Sequence, residues 1–143
     1  MRFWDASALV ALLVDEPGTG KLLELYREDP AVLAWWGSLV ECASAVARLE
    51  REGELEGGAV AQAFERLAAM SAAWHEIQPT DELREAAVRF LRVHPLRAAD
   101  ALQLAAAFTA AERRPSSLAF VCMDEKLLAA AQREGFTIAL LAG

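Results

Sequence analysis

Four acidic residues stand apart from the rest of the sequence. The chain carries 21 Asp and Glu, and most of them lie among other charges. Asp5 is the only charged residue between positions 3 and 14, and Glu41 the only one between 31 and 47. Asp100 is the only one between 98 and 111, and Asp124 closes the uncharged run 115–123. A lone carboxylate in an apolar element carries a large desolvation cost unless it is paired. Few basic residues are placed to pair all four. A shared cation resolves this, because hard oxygen ligands are what Mg²⁺ and Mn²⁺ take. Carboxylates gathered together also raise one another's pKa, and a divalent ion relieves the repulsion. Such an ion can activate a water and steady the charge on a phosphate undergoing displacement.

Each acid has a purely structural reading as well. Asp5 could cap a helix starting near Ser7, and Asp124 could cap the helix that follows it. Glu41 could sit on a solvated helix face with Ser38, Ser44 and Ala45. Asp100 could pair with Arg97, one turn earlier. The chemical reading rests on the four together.

The elements that must position these acids alternate in type. Short apolar segments at 3–7, 31–36, 75–78, 118–123 and 137–141 are expected as strands. Helices are expected over 8–14, 21–28, 38–51, 57–74, 80–93, 97–113 and 125–134. Pro17, Gly18 and Gly20 punctuate a turn, Asp29-Pro30 and His94-Pro95 stop helices, and Gly135 closes one. Thr80-Asp81-Glu82 reads as an N-cap followed by acids in the first turn. The alternation predicts an α/β fold, a mainly parallel central sheet flanked by helices in three layers. In such sheets the ligand site lies beyond the carboxyl ends of the strands, where Asp5 and Asp124 fall.

Bulk properties bound the answer. With 143 residues, 55% of them hydrophobic, the chain is expected to form a single domain over 1–143. No apolar run reaches the roughly 20 residues of a membrane span. The opening Met1-Arg2-Phe3-Trp4-Asp5 does not resemble a secretion signal, so a cytoplasmic location is expected. Cys42 and Cys122 lack zinc or redox spacing and are expected to be buried thiols. His75 and His94 share no ligand spacing. The net charge of −7 opposes a phosphate backbone in general, but it does not locate the charge, and bound cations reverse the local sign.

The segments carrying the four acids resemble the PIN-domain family, and the chain is similar to VapC-type toxins over nearly its whole length. Asp5-Ala6-Ser7-Ala8-Leu9-Val10 resembles the family's first strand and Asp-x-Ser/Thr turn. Ser38-Leu39-Val40-Glu41 resembles its second acidic segment, and Leu96-Arg97-Ala98-Ala99-Asp100-Ala101-Leu102 its third. Phe120-Val121-Cys122-Met123-Asp124-Glu125-Lys126-Leu127 resembles its fourth. The resemblance implies that Asp5, Glu41, Asp100 and Asp124 are metal ligands and catalytic residues, with Ser7 as a supporting hydroxyl. It implies RNA cleavage with Mg²⁺ or Mn²⁺, neutralisation by a small VapB-like antitoxin, and a homodimer. Cys122 departs from the Thr or Ser more usual there. Arg89, Arg92 and Arg97 are candidates for guiding the RNA backbone, with a solvated helix face as the alternative for Arg89 and Arg92. The 57–74 helix and Trp35-Trp36 could offer a partner apolar surface, although core packing is the commoner use of such residues.

Other classes fit less well. A haloacid-dehalogenase type phosphotransfer site wants a second Asp two residues after the first, where this chain has Ser7. Both it and a receiver-type site want a supporting Lys, and only Lys21 and Lys126 exist. A P-loop at Gly18-Thr19-Gly20-Lys21 would need Gly at 15 and Ser or Thr at 22, which are Asp15 and Leu22. A degenerate PIN-type binding module and a housekeeping RNA-processing nuclease remain as alternatives within the family.

Overall fold

The computed structural model describes residues 1–139. Five parallel strands form its sheet: β1 (Arg2–Trp4), β2 (Val32–Trp35), β3 (His75–Ile77), β4 (Ala119–Val121) and β5 (Thr137–Ile138), in the order β3-β2-β1-β4-β5. The helices are α1 (Ala6–Leu13), α2 (Thr19–Glu28), α3 (Ser38–Arg51), α4 (Gly57–Ala73), α5 (Asp81–Val93), α6 (Ala98–Ala110) and α7 (Glu125–Arg133).

The inner strands β1, β2 and β4 are short and mostly apolar on both faces because helices cover both faces, whereas the edge strand β3, His75-Glu76-Ile77, is not. Successive side chains point opposite ways. Phe3 therefore joins Phe120 in the layer holding α5, α6 and α7, while Trp4 joins Val121 in the layer holding α1 to α4. The Phe3 and Phe120 rings lie 5.3 Å apart, and Phe120 and Phe136 5.4 Å. Phe3, Trp4, Phe90 and Phe120 are fully buried, each contributing about 1.5–3 kcal/mol by removal from water. Ala101, Ala105, Ala106 and Ala107 let α6 approach the sheet closely as a buried middle element. The three-layer α/β expectation holds.

Boundaries differ from the expectation where a side chain competes with the ladder. β1 ends at Trp4 rather than at Ser7, because the Asp5 carboxylate accepts the Ala8 N–H and starts α1 at Ala6. Gly18, with φ +93°, turns the chain into α2 two residues earlier than expected. Gly135, with φ +101°, closes α7 in the left-handed conformation that a Cβ would strain. Thr80 caps α5, its hydroxyl accepting the Leu83 N–H at 3.1 Å. Leu140 and Leu141, placed in the last expected strand, lie outside the described residues. Among the described residues no helix is long and apolar enough to cross a membrane.

Candidate active site

All four solitary acids stand at helix N-termini: Asp5 and Asp124 cap α1 and α7, and Glu41 and Asp100 lie in the first turns of α3 and α6. The exposed N–H groups and the dipole at such ends favour negative charge. Each cap uses one carboxylate oxygen and leaves the other. Asp5 Oδ1 accepts the Ala8 N–H at 3.0 Å, and Asp124 Oδ1 the Leu127 N–H at 2.9 Å. The structural reading of these two residues is thus true and does not compete with the chemical one.

Asp5 is 3% exposed. Burial pushes its pKa up to about 6, against the opposing hydrogen bonds from Ala8 and Ser7. The Ser7 hydroxyl donates to Asp5, 2.8 and 2.9 Å from its two oxygens, and accepts the Met123 N–H at 2.9 Å. The Asp5 N–H reaches the Val121 carbonyl at 3.1 Å. The ends of β1 and β4 are therefore locked together around Asp5.

Glu41 is half-buried, and burial first, then the charges of Asp5 and Asp100, push it up to about 7. A hydrogen bond from Gln103 opposes the rise: Nε2 donates to Glu41 Oε2 at 2.6 Å and to Ser38 Oγ at 3.0 Å. Burial and the neighbouring Asp124 also raise Asp100, while Arg97 and Lys126 pull it down. The mutual repulsions thus link Asp5, Glu41, Asp100 and Asp124 in one chain. None of the four forms an ion pair among the described residues. The structural alternative of an Asp100–Arg97 salt bridge is reduced to a longer-range attraction.

Among the described residues no three carboxylates stand close enough to enclose one ion as they are. The donor chemistry nevertheless fits a hard divalent cation: oxygen ligands only, three of the four partly or fully buried, repelling one another and without an ion pair among the described residues. Modest side-chain adjustment toward a shared ion would relieve that repulsion.

Two clefts flank the acids. One, of about 820 Å³, is lined by Trp36, Glu41, Arg48 and Arg51; the other, of about 630 Å³, by Asp100, Asp124 and Lys126. Arg97 and Ala99 line both. Of the three expected guiding arginines, only Arg97 reaches the acids. The Arg89 guanidinium lies over the Phe90 and Phe108 rings, 4.8 and 5.4 Å from their centroids, beside a separate depression. Arg92 lies on the exposed face of α5 and lines neither cleft.

Cys122 fills the place of the more usual hydroxyl. Its sulfur receives the Asp124 N–H at 3.3 Å and lies 3.4 Å from the Asp124 carbonyl. Burial pushes this thiol far up, and Cys42 to about 12, so both remain neutral. Trp35 is buried and Trp36 is 53% exposed, which splits a pair expected to behave alike. Gln103, Arg48 and Arg51 were not singled out in the sequence. Gln103 had a signal, as the only strongly polar residue between Asp100 and Thr109.

The family model described as the PIN domain matches residues 2–131. No curated protein sequence matches the chain. Among solved structures, VapC20 of Mycobacterium tuberculosis, described as a toxin cleaving the sarcin–ricin loop, superposes with a TM-score of 0.71 at 19% identity, covering 96% of this chain and 97% of that one. FitAcB of Neisseria gonorrhoeae gives 0.66 at 16% identity, covering 96% of each. A toxin–antitoxin complex from Klebsiella pneumoniae gives 0.63 at 17%, covering 90% and 91%.

Proposed function

The chain belongs to the PIN-domain family, and from that premise we propose that it is a divalent-metal-dependent ribonuclease and the toxin of a type II toxin–antitoxin pair. The observation that carries the reading is the set of four acids at helix N-termini, none of which forms an ion pair among the described residues. Asp5 and Asp100 would hold the principal Mg²⁺ or Mn²⁺, with Glu41 and Asp124 completing the site or holding a second ion. When bound, such an ion supplies an activated water and neutralises charge on the phosphate.

The remaining work belongs to the chain. Ser7 fixes the Asp5 carboxylate by its hydroxyl, and Gln103 fixes Glu41. Arg97, exposed and lining both clefts, would hold the phosphodiester beside Asp100. The described relatives that are toxins, and the complex among them, support a small antitoxin as partner. A homodimer and a cytoplasmic location follow as part of the same proposal.

The test is cleavage of several structured RNAs by the purified protein with Mn²⁺ or Mg²⁺, with EDTA, and with Asp5→Asn as the contamination control. Cleavage that needs metal and vanishes in the variant is expected. Absence of both cleavage and metal binding would return the chain to a binding module. Metal binding without cleavage would point to a narrow RNA target.

A further inference from the structure

Trp36 is a large aromatic side chain, 53% exposed, at the mouth of the same cleft that holds Glu41. Its exposure is not looseness. The Trp36 N–H donates to the Ile77 carbonyl at 3.0 Å, which fixes the backbone to the end of β3. The Trp35 ring stands edge-on to it, 6.3 Å away at 70°. Gly37 makes this possible, since a Cβ there would lie 2.6 Å from Trp35 Nε1. The indole of Trp36 is therefore held out from the carboxyl edge of the sheet on a supported base.

The cleft beside it is electropositive in a chain of net charge −7. Glu41, Ser44, Arg48 and Arg51 recur along one face of α3 and line it, and Arg97 closes its far wall. The guanidinium groups of Arg48, Arg51 and Arg97 make no ion pair among the described residues; Arg48 is attracted at longer range by Glu16. An apolar platform with three cations matches an unpaired nucleotide: every base has a face to stack, and phosphates take the arginines. A paired base cannot present that face.

We infer that Trp36 is a stacking platform for an unpaired nucleobase of the substrate, with Arg48 and Arg51 on the flanking phosphates. The inference rests on the ribonuclease reading and deepens it. The strand would enter over Trp36, pass Arg97 and reach the carboxylates, so that recognition favours a loop or single strand over a duplex.

The experiment uses the full chain carrying Asp5→Asn, which binds without cutting. Fluorescence anisotropy reads its affinity for a labelled single-stranded RNA and for the same sequence annealed as a duplex. Trp36→Ala should weaken single-strand binding roughly tenfold, the order expected for losing one stack. It should leave duplex binding and thermal stability unchanged, and Trp36→Phe should restore most of the affinity. Arg51→Gln should reduce the slope of log affinity against log salt by about 0.7. In the cleaving protein, Trp36→Ala should raise KM more than it lowers kcat. A parent that binds and cleaves RNA, with affinity unchanged by Trp36→Ala, overturns the platform alone. Loss of antitoxin binding in that variant, with RNA affinity intact, would overturn it in favour of a protein groove. A parent that binds neither RNA nor metal and cleaves nothing overturns the ribonuclease reading and the platform with it.

Discussion

His94 and Glu134 are drawn into the protein as a hydrogen-bonded pair, whereas Asp5, Glu41, Asp100 and Asp124 are drawn together without an ion pair to any of them among the described residues. The His94 side chain is 2% exposed and that of Glu134 19%, with Nε2 and Oε2 2.6 Å apart. That pairing offsets part of the cost of burial, since Nδ1 of the same ring has no partner among the described residues. Asp5, Glu41 and Asp100 meet theirs only in part, through helix N-termini and hydrogen bonds such as those from Ser7 and Gln103, while Asp124 stays exposed beside them. The first arrangement gives the buried ring a partner for Nε2, though not for Nδ1. The second leaves carboxylates that no ion pair answers among the described residues.

That contrast can be broken at either end. The largest effect is expected from Asp5→Asn, which should reduce metal-dependent RNA cleavage by about a thousandfold, near the upper end of what one lost electrostatic stabiliser costs. In EDTA at pH 8 the same variant should melt higher than the parent, because it removes a carboxylate that burial disfavours. His94→Ala should do the opposite, lowering stability by about 3 kcal/mol in a denaturant titration through the lost packing of a buried ring and the lost hydrogen bond to Glu134. If both variants destabilise the metal-free protein alike, the distinction between the clusters fails.

Gln103→Leu probes the support of Glu41. It should weaken Mn²⁺ binding, read by calorimetry, about ten- to a hundredfold, as loss of a ligand-orienting hydrogen bond does elsewhere. The smallest effect is a pH slope. Asp5 and Glu41 hold their protons to about 6 and about 7 in the folded chain, against ordinary values of 3.8 and 4.5. The folded state therefore binds more protons than the unfolded one across that window, and stability falls as pH rises through it. Metal-free protein should lose about 2 kcal/mol between pH 5 and pH 8, and saturating Mn²⁺ should abolish the loss.

The acids were legible in the sequence because charge in an apolar run is costly wherever the run folds. α3 was legible to its ends, Ser38–Arg51, because its periodicity and the glycines around it agree. Gln103 obeys the same logic as the acids but carries no charge, so an alanine-rich helix conceals it. Arg48 and Arg51 lie in the charged run Arg48-Leu49-Glu50-Arg51-Glu52, which reads as ordinary solvated surface. Only the pairing of α3 with the start of α6 turns that run into a cleft wall. Trp35 and Trp36 differ because β2 ends between them: the first keeps the strand's alternation into the core, and the second escapes it.

The hydrogen bond from the Met123 amide to the Ser7 hydroxyl joins residues 116 positions apart. β1 is the central strand, yet one of its two neighbours, β4, lies far along the chain from it. At about 5–20 residues per second, on the order of 6–23 s separates the two partners on the ribosome. Until then Asp5 lacks both the neighbouring strand and the loop that carries Asp124. The setting of Asp5 is thus not a local product of the segment that carries it; it depends on a contact that closes across most of the described chain.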